Sequence, residues 1–386
     1  MNQIITSILD SDLYKFTMQQ YVFHQYPNVK VRYKFVCRNK DVKLGFLAAK
    51  VQEQVNSMKA LALTLEASRF LSTMNFLRSD YIDFLRGYRF NPDEVIIEGD
   101  EGADLKIEIG GDWKNTILWE VPLLAIVNQL YFEATTDFEK IQSEGKTRLD
   151  TKIRQILEFP RFTFTDFGTR RRYSADWQKY ILQTFKTYCS QNLVGTSNVQ
   201  LAMDLGLKAI GTMAHEIFSA GLALVDRYEE SQKRTLYTWL QEYNTDLGHA
   251  LTDTFTTDAF FRDFKYILAN SYQGVRHDSG DAIEFGHKVI EHYKKLSIDP
   301  RMKSIVFSDG LTIPKALEIY KEFTGLIGLG FGIGTSLTND LGVDALNIVI
   351  KLVECNDQPV CKLSDNITKA IGDEKVIEEV RKAYKI

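Results

Sequence analysis

Residues 162–171 read FTFTDFGTRR, a short alternating run that ends in a polar cluster carrying a glycine. The same design recurs at 193–198 (LVGTSN), 209–216 (AIGTMAHE), 250–255 (ALTDTF), 274–281 (GVRHDSGD), 305–310 (IVFSDG) and 326–336 (LIGLGFGIGTS). Helix-like stretches such as 175–190 and 314–323 lie between most of them. Strand–helix alternation of this kind calls for right-handed crossovers and a parallel sheet. Seven such units in succession predict closure into a barrel. The polar clusters then fall at the carboxyl ends of the strands, where barrels of this type carry their active sites.

The flanks have another rhythm. Residues 13–25 read as a helix, and 29–38 (VKVRYKFVCR) alternate as a strand should. Residues 43–86 read as helical, 94–98 and 105–110 as two strands joined by a Gly-Asp-Glu-Gly turn, 117–120 as a further strand and 123–135 as a buried helix. Beyond Asp344, NIVIKLVEC and PVCKLSD read as a hairpin across Asn356-Asp357-Gln358, followed by a terminal helix. The expected fold is α/β: an irregular TIM-like (β/α) barrel over 126–340, with a second α+β domain formed by 1–125 and the tail 341–386. The length of 386 residues agrees, since single cores usually stop growing at about 250–300.

The formal net charge is −4, so no global field draws the chain to nucleic acid or to anionic lipid, and any anion must be held by a local site. The N-terminus lacks a basic stretch followed by an apolar one, and no run approaches the ~18 apolar residues of a membrane span. A soluble, cytoplasmic protein is expected. The four cysteines form no CxxC pair. Cys355 and Cys361 flank the expected hairpin, but buried thiols in a reducing compartment are the better reading.

Several clusters carry residues suited to chemistry. The segment 328–336 (GLGFGIGTS) follows an apolar strand, and its glycines let backbone N–H groups form an anion nest suited to a phosphate monoester. It contains no Gly-Lys-Ser/Thr of a P-loop. In RHDSGD, Arg276 is suited to bidentate contact with phosphate, while Asp278 and Asp281 are candidates to accept from ribose hydroxyls or to hold Mg²⁺. In DFGTRR, Phe167 offers a flat face, and Arg170, Arg171 and Arg172 form an anion-binding cluster or a solvated face. His215 follows a strand and is a candidate acid, base or nucleophile towards phosphorus. Asp253 and Asp309 add carboxylates at strand ends, for polar or metal-linked contacts or as helix caps. A barrel mouth so furnished suits a phosphorylated sugar with a second, flat substrate.

The motifs SDLYKFTMQQ, FTDFGTRRRYS, VGTSNV, IGTMAHE, LTDTF, VRHDSGD, FSDGL and GFGIGTSLTND occur here in the order in which they occur in nicotinate phosphoribosyltransferases, and the chain resembles that family along nearly its whole length. The resemblance implies transfer of nicotinate to 5-phosphoribosyl 1-diphosphate, giving nicotinate mononucleotide and pyrophosphate, with Mg²⁺ and coupled ATP hydrolysis. It implies that ATP phosphorylates His215, that Phe167 stacks on the pyridine ring and that Tyr14 covers the other face from a neighbouring subunit of a homodimer. Arg170 would face the substrate carboxylate or phosphate groups. Asp253, Arg276 and Asp278 would hold ribose and diphosphate, Gly332 and Gly334 the 5-phosphate, with Ser279, Asp309 and Thr335 completing the substrate-binding set.

Nicotinamide-using relatives carry an Asp in the segment matching 195–199, where this chain has Ser197. A carboxylate there would repel nicotinate, whereas a hydroxyl can donate to it. The rival readings are a nicotinamide or quinolinate phosphoribosyltransferase, a barrel aldolase or isomerase acting on a sugar phosphate, and a sugar-phosphate sensor. The aldolase needs a Schiff-base lysine at a strand end, which none of the clusters contains. Carboxylates packed beside the arginines argue against a mere anion sensor.

Overall fold

A computed structural model describes residues 2–366 and 370–386. Its strands are β1 (Lys30–Cys37), β2 (Val95–Glu98), β3 (Lys106–Asp112), β4 (Phe164–Asp166), β5 (Leu193–Thr196), β6 (Lys208–Ala209), β7 (His249–Leu251), β8 (Gly274–His277), β9 (Ser304–Phe307), β10 (Gly328–Ile333), β11 (Ile348–Cys355) and β12 (Gln358–Pro359). Packing divides the chain into two units. The first comprises the segments up to Asn28, Arg32–Gly211 and Ile333–Lys351; the second comprises Val29–Val31, Thr212–Gly332 and everything from Leu352 on.

In the first unit, β2 and β3 pair antiparallel from Val95↔Ile109 to Glu98↔Lys106, and β1 adjoins β3. The helix Glu120–Thr135 is buried around most of its circumference, including Leu123, Leu124, Ile126, Val127 and Leu130. A helix apolar on all sides belongs inside a core, not on its surface. A parallel run follows in the order β6-β5-β4, with Asp166 opposite Thr196 and Thr196 opposite Ala209. Gly195 is required here, because a Cβ would lie 2.0 Å from the Lys208 carbonyl oxygen.

The second unit carries the parallel run β10-β9-β8-β7, in register through Gly328↔Ser304, Gly274↔Ser304 and His249↔Gly274. Its crossover helices are specified locally. Asp281 Oδ1 accepts from the N–H groups of Ile283 (2.9 Å) and Glu284 (2.8 Å) and so starts the helix Ala282–Lys295. Phe285, Val289, Ile290 and Tyr293 then recur at helical spacing and bury one face. Thr312 caps Ile313–Phe323, with Pro314 in the first turn, where a missing N–H costs nothing. The chain is thus an α/β protein with parallel strands and a separate antiparallel sheet.

Several expectations are corrected. Residues 43–86 form three separate helices, Ala48–Met58, Leu65–Leu71 and Ser79–Gly87, the second started by a Thr64 cap. Residues 117–120 are not a strand: Ile117–Trp119 make a 3-10 turn that leads into the core helix, because their apolar side chains continue its buried surface. The long helix Phe138–Leu157 was not foreseen. It is rich in charged residues and buries only a thin stripe of Gly145, Leu149, Ile153 and Ile156. The glycine-rich segment 328–333 is not a loop but β10 itself.

The expected division at 126–340 is also not where the packing separates, since the parallel strands are shared between the two units. Of the tail, the part up to Lys351 stays with the first unit, where β11 adjoins β1 as expected, while the stretch from Leu352 on belongs to the second unit. Its helix Glu374–Tyr384 packs on the helix Tyr228–Tyr243, the Tyr384 ring stacks on Phe255 at 4.8 Å, and its hydroxyl accepts from the Gln232 N–H at 3.2 Å. All four cysteines are free thiols. No helix among the described residues is long and apolar enough to cross a membrane.

One ion pair anchors the N-terminal segment of the first unit. Arg172 Nη1 and Nη2 each donate to one Asp10 oxygen at 2.7 Å, and the Arg172 side chain is 1% exposed. Asn198 Nδ2 donates to the same carboxylate at 2.7 Å, and Asn128 Nδ2 donates to the Arg172 carbonyl at 2.6 Å. Removing one partner of such a pair leaves a buried charge uncompensated. Arg172→Met is expected to lower stability by about 3–5 kcal/mol in denaturant unfolding. A loss below about 1 kcal/mol, the range of a surface pair, would show that the bond is not structural.

Candidate active site

Two clusters gather the candidate residues, one in each unit. The first lies at the carboxyl ends of β4 and β5. Asp166 ends β4 fully buried: Oδ1 accepts from the Gly168 N–H (2.8 Å), and Oδ2 accepts from Gln178 Nε2 (2.8 Å) and Thr196 Oγ1 (2.7 Å). Burial pushes its carboxyl up to about 6, against these three donors. Its role is to shape the turn that presents Phe167, which is half-buried and whose N–H donates to the Ile333 carbonyl at 2.8 Å. Gly334 lies against the same turn, since a Cβ there would be 3.0 Å from the Phe167 carbonyl oxygen. It opens the single helical turn Thr335–Thr338. Phe167, Gly334 and Thr335 therefore do share one corner, whereas Gly332 sits buried within β10 and belongs to the second unit.

Ser197 follows β5, and its N–H donates to the Asp166 carbonyl at 2.8 Å. Its hydroxyl donates to Asp12 Oδ1 at 2.7 Å, so its single proton is already directed to a carboxylate of the protein. The expected donation from Ser197 to a substrate carboxylate is therefore not the arrangement found. Burial raises the Asp12 carboxyl, while Ser197 and Arg170 act in the opposite direction. Leu13 N–H donates to the Ser197 carbonyl at 2.7 Å, and Gly211 leaves room for the backbone of Leu13 and Tyr14. Tyr14 thus starts its helix beside Ser197 of its own chain.

The three arginines of the TRRR run have different fates. Arg172 is the buried partner of Asp10, and Arg171 Nε donates to the Ile348 carbonyl at 3.0 Å. Arg170 keeps a partly exposed side chain, with Nη1 3.5 Å from Glu120 Oε1. The other Glu120 oxygen lies 2.5 Å from the ammonium of Lys15, whose side chain is wholly buried. Burial opposes the Glu120 charge, but Lys15, Arg170 and Lys351 outweigh it and hold the carboxyl below its usual value. Of the expected anion-binding cluster, Arg172 is turned inward, while Arg170 and Arg171 are partly exposed.

The second cluster centres on Asp253, which is wholly buried. His215 opens the helix His215–Gly221, and its Nε2 lies 2.8 Å from Asp253 Oδ1. The other oxygen, Oδ2, accepts from Ser279 Oγ (2.6 Å) and Ser364 Oγ (3.4 Å), with the Lys362 ammonium at 3.5 Å. Burial opposes the charge, yet His215, Lys362 and these donors hold the Asp253 carboxyl well below its usual range. Burial and Lys362 push His215 down to about 4, against Asp253 and Asp278, so its imidazole is neutral near pH 7. Facing an ionised carboxylate, Nε2 carries the ring proton, and Nδ1 keeps its lone pair with no hydrogen-bond partner among the described residues.

Asp278 Oδ2 is 3.7 Å from His215 Nε2, while Oδ1 accepts from Ser308 Oγ (2.8 Å) and faces Arg276 Nη2 (3.4 Å). Arg276 Nη1 donates to the Met213 carbonyl at 2.8 Å. His215, Asp253 and Asp278 can each place a ligand atom within 4.8 Å of the others. Both Asp253 oxygens are engaged, which leaves Asp278 Oδ2 as the carboxylate oxygen open to a cation. One carboxylate suits Mg²⁺, which otherwise takes substrate phosphates and water. Asp281, the other metal candidate, instead caps the helix Ala282–Lys295. Asp309 lies beyond β9, two residues from the helix-capping Thr312, and its charge reaches His277.

The sequence reading missed Asp12, Lys15 and Glu120 in the first cluster, and Lys362 and Ser364 in the second. A lone charge in the otherwise uncharged run LYKFTMQQYVF was the one available signal for Lys15. Nothing in the spacing of KLSD at 362–365 points to His215, some 150 residues away.

Residues 162–386 match the family described as nicotinate phosphoribosyltransferase (NAPRTase), and residues 9–128 match its N-terminal domain. A nicotinate phosphoribosyltransferase of Yersinia enterocolitica is 45% identical over 388 residues, spanning 99% of this chain and 96% of that protein. An Escherichia coli protein of the same name is 44% identical over 392 residues, with the same coverage. The crystal structure of nicotinate phosphoribosyltransferase from Porphyromonas gingivalis superposes with a TM-score of 0.93 at 37% identity, covering 99% of this chain and 100% of that one. The Vibrio cholerae enzyme gives 0.93 at 37%, covering 100% and 94%. A buried histidine–aspartate pair, a corner that brings Phe167 and Gly334 together and these matches along both parts of the chain lead to one assignment: the chain belongs to the nicotinate phosphoribosyltransferase family.

Proposed function

We propose that this phosphoribosyltransferase joins nicotinate to 5-phosphoribosyl 1-diphosphate, releasing pyrophosphate, and couples the transfer to ATP hydrolysis through a phosphohistidine at His215. The observation that carries the coupling is the His215–Asp253 pair. A buried, neutral imidazole with one nitrogen held by a carboxylate is an activated nucleophile of known type. The nucleophilic atom is then Nδ1, because Nε2 is occupied by Asp253 at 2.8 Å. On phosphorylation at Nδ1 the proton stays on Nε2, directed at Asp253, whose carboxylate stabilises the cationic phosphoimidazole as it forms.

Transfer to nicotinate needs no side chain to attack carbon. As the diphosphate departs, the ribose carbon becomes oxocarbenium-like, and the protein's work is positioning and charge stabilisation. Arg276 supplies positive charge for the leaving group, and Asp278 holds ribose or Mg²⁺. When bound, Mg²⁺ would neutralise diphosphate charge. In the first unit, Phe167 offers its face to the pyridine ring, Arg170 its guanidinium to the carboxylate, and Gly334 and Thr335 their N–H groups to the 5-phosphate. Ser197 favours the acid by leaving out a charge, not by donating, since its proton goes to Asp12. A TIM-like barrel, a homodimer with shared active sites and a cytoplasmic location are part of this reading and rest on the resemblance to the family.

The decisive assay supplies Mg²⁺, phosphoribosyl diphosphate and nicotinate, nicotinamide or quinolinate, with and without ATP, and quantifies each mononucleotide. Nicotinate mononucleotide formed faster with ATP, with little product from the other two bases, is the expected result. Product from quinolinate that ignores ATP would replace the reading with that of a decarboxylating transferase.

Two variants separate its parts. His215→Ala should take up no label from γ-³²P-ATP and lose ATP stimulation, while retaining slow ATP-independent transfer. Phosphorus NMR of the labelled wild type should show the Nδ1 adduct, and an Nε2 adduct would overturn the role given to Asp253. Ser197→Asp places a second carboxylate beside Asp12 and should lower kcat/KM for nicotinate about 100-fold relative to nicotinamide, since a like-charge juxtaposition costs several kcal/mol. An unchanged ratio would remove Ser197 from base selection.

A further inference from the structure

Lys362 lies outside every motif that defines the chemistry above, yet it reaches the centre of the second cluster. Its ammonium is 3.5 Å from Asp253 Oδ2, the carboxylate whose other oxygen holds His215 at 2.8 Å. That distance is longer than the ~2.7–2.9 Å of a direct charge-assisted hydrogen bond. The side chain is only 10% exposed, and no hydrogen bond from the ammonium is made among the described residues. An ammonium has three donors, and burying them unfilled is costly unless a ligand fills them. The amine is not a loose end of a tail. Lys362 N–H donates to Ile371 O (2.8 Å), Leu363 N–H to Thr254 O (2.8 Å), and Asp365 accepts from both the N–H (2.7 Å) and hydroxyl (2.6 Å) of Thr257.

The local charges say what the missing partner is. Asp253 and Asp278 bring two negative charges to a neutral His215, while Arg276 faces Asp278 and the Met213 carbonyl. A phosphoryl group arriving at Nδ1 adds negative charge to this cluster, and a second cation, Lys362, offsets it together with Arg276. We propose that Lys362 is a phosphate-binding residue of the histidine site, holding a non-bridging oxygen of the phosphoryl group that passes from ATP to His215. This rests on the phosphohistidine reading given above and adds a named residue to it. In the step, Nδ1 attacks the γ-phosphorus and forms the N–P bond. The bond from that phosphorus to the β-phosphate oxygen breaks, and its electron pair leaves on ADP. Nε2 keeps its proton towards Asp253, and Lys362 transfers none; it contributes charge and position.

The test uses the full-length protein with Lys362→Met and Lys362→Arg. Each is followed by single-turnover labelling from γ-³²P-ATP and, separately, by ATP-independent formation of nicotinate mononucleotide. Lys362→Met should label about 100-fold more slowly, the scale of losing one preorganised donor to a developing oxyanion. Lys362→Arg should recover most of the rate, and in Lys362→Met the ATP-independent transfer should fall far less than the labelling does. Labelling of Lys362→Met at the wild-type rate overturns the proposal. So does a loss of both activities in parallel with no recovery by arginine, because that is the signature of a residue that merely neutralises Asp253. If wild type itself takes up no label, the phosphohistidine reading fails first, and this proposal fails with it.

Discussion

Asp253 is out of contact with solvent and still carries its charge. A carboxylate persists in that state only when it is both paired and hydrogen-bonded. The partners that satisfy it come from separate parts of the chain: His215 from the start of a helix, Ser279 from the turn after β8, Lys362 and Ser364 from the C-terminal segment. One anion therefore fixes where three segments sit. It also decides the chemistry of the histidine, because a ring nitrogen facing an ionised carboxylate must be the protonated one. Orientation and tautomer both follow from a single buried charge.

The first unit solves the same problem with other materials. Asp166 is met only by neutral donors, an amide, a hydroxyl and a backbone N–H, and burial leaves its carboxyl at about 6. Asp10 receives a bidentate arginine, and Asp12 receives the Ser197 hydroxyl. These carboxylates work as internal struts: they set the turns that present Phe167 and Ser197 while their charge is absorbed within the protein. At the same corner stand a flat ring, that of Phe167, and a partly exposed guanidinium, that of Arg170.

Much of this was written locally in the sequence. The repeat of short strands ending in polar glycine-bearing turns identified each parallel strand, because that signal needs only a few neighbouring residues. His215, Asp253, Arg276 and Asp278 were readable for the same reason, each lying at the end of such a unit. Long-range pairing was not readable. Arg170, Arg171 and Arg172 are identical side chains in a row, and only tertiary contacts make one a buried strut, one a tie to the Ile348 carbonyl and one a partner of Glu120. Asp281 resembles Asp278 in the motif yet spends its Oδ1 on a helix N-terminus. The glycines of 328–333 suggested a loop because strand interiors normally avoid glycine. The helix 138–157 escaped because one apolar residue per turn is too thin a stripe to stand out among its charges.

The loop that carries Asp253 shows why the C-terminal segment belongs to the site as well as to the fold. Thr256, three residues on, holds φ at +101°, a region that a β-branched side chain enters only under strain. Strain of that kind costs about 1–3 kcal/mol and survives only where surrounding contacts over-determine the backbone. Here those contacts are the Leu363 and Ser364 N–H groups on the Thr254 carbonyl, and Asp365 on Thr257. The segment Lys362–Asp365 thus bends the loop and brings a cation to it at once. A relaxed loop would let Asp253 turn away from His215, and the neutral imidazole would lose the carboxylate that fixes its proton. Backbone strain, carboxylate and ammonium are therefore one device, built from residues about a hundred positions apart.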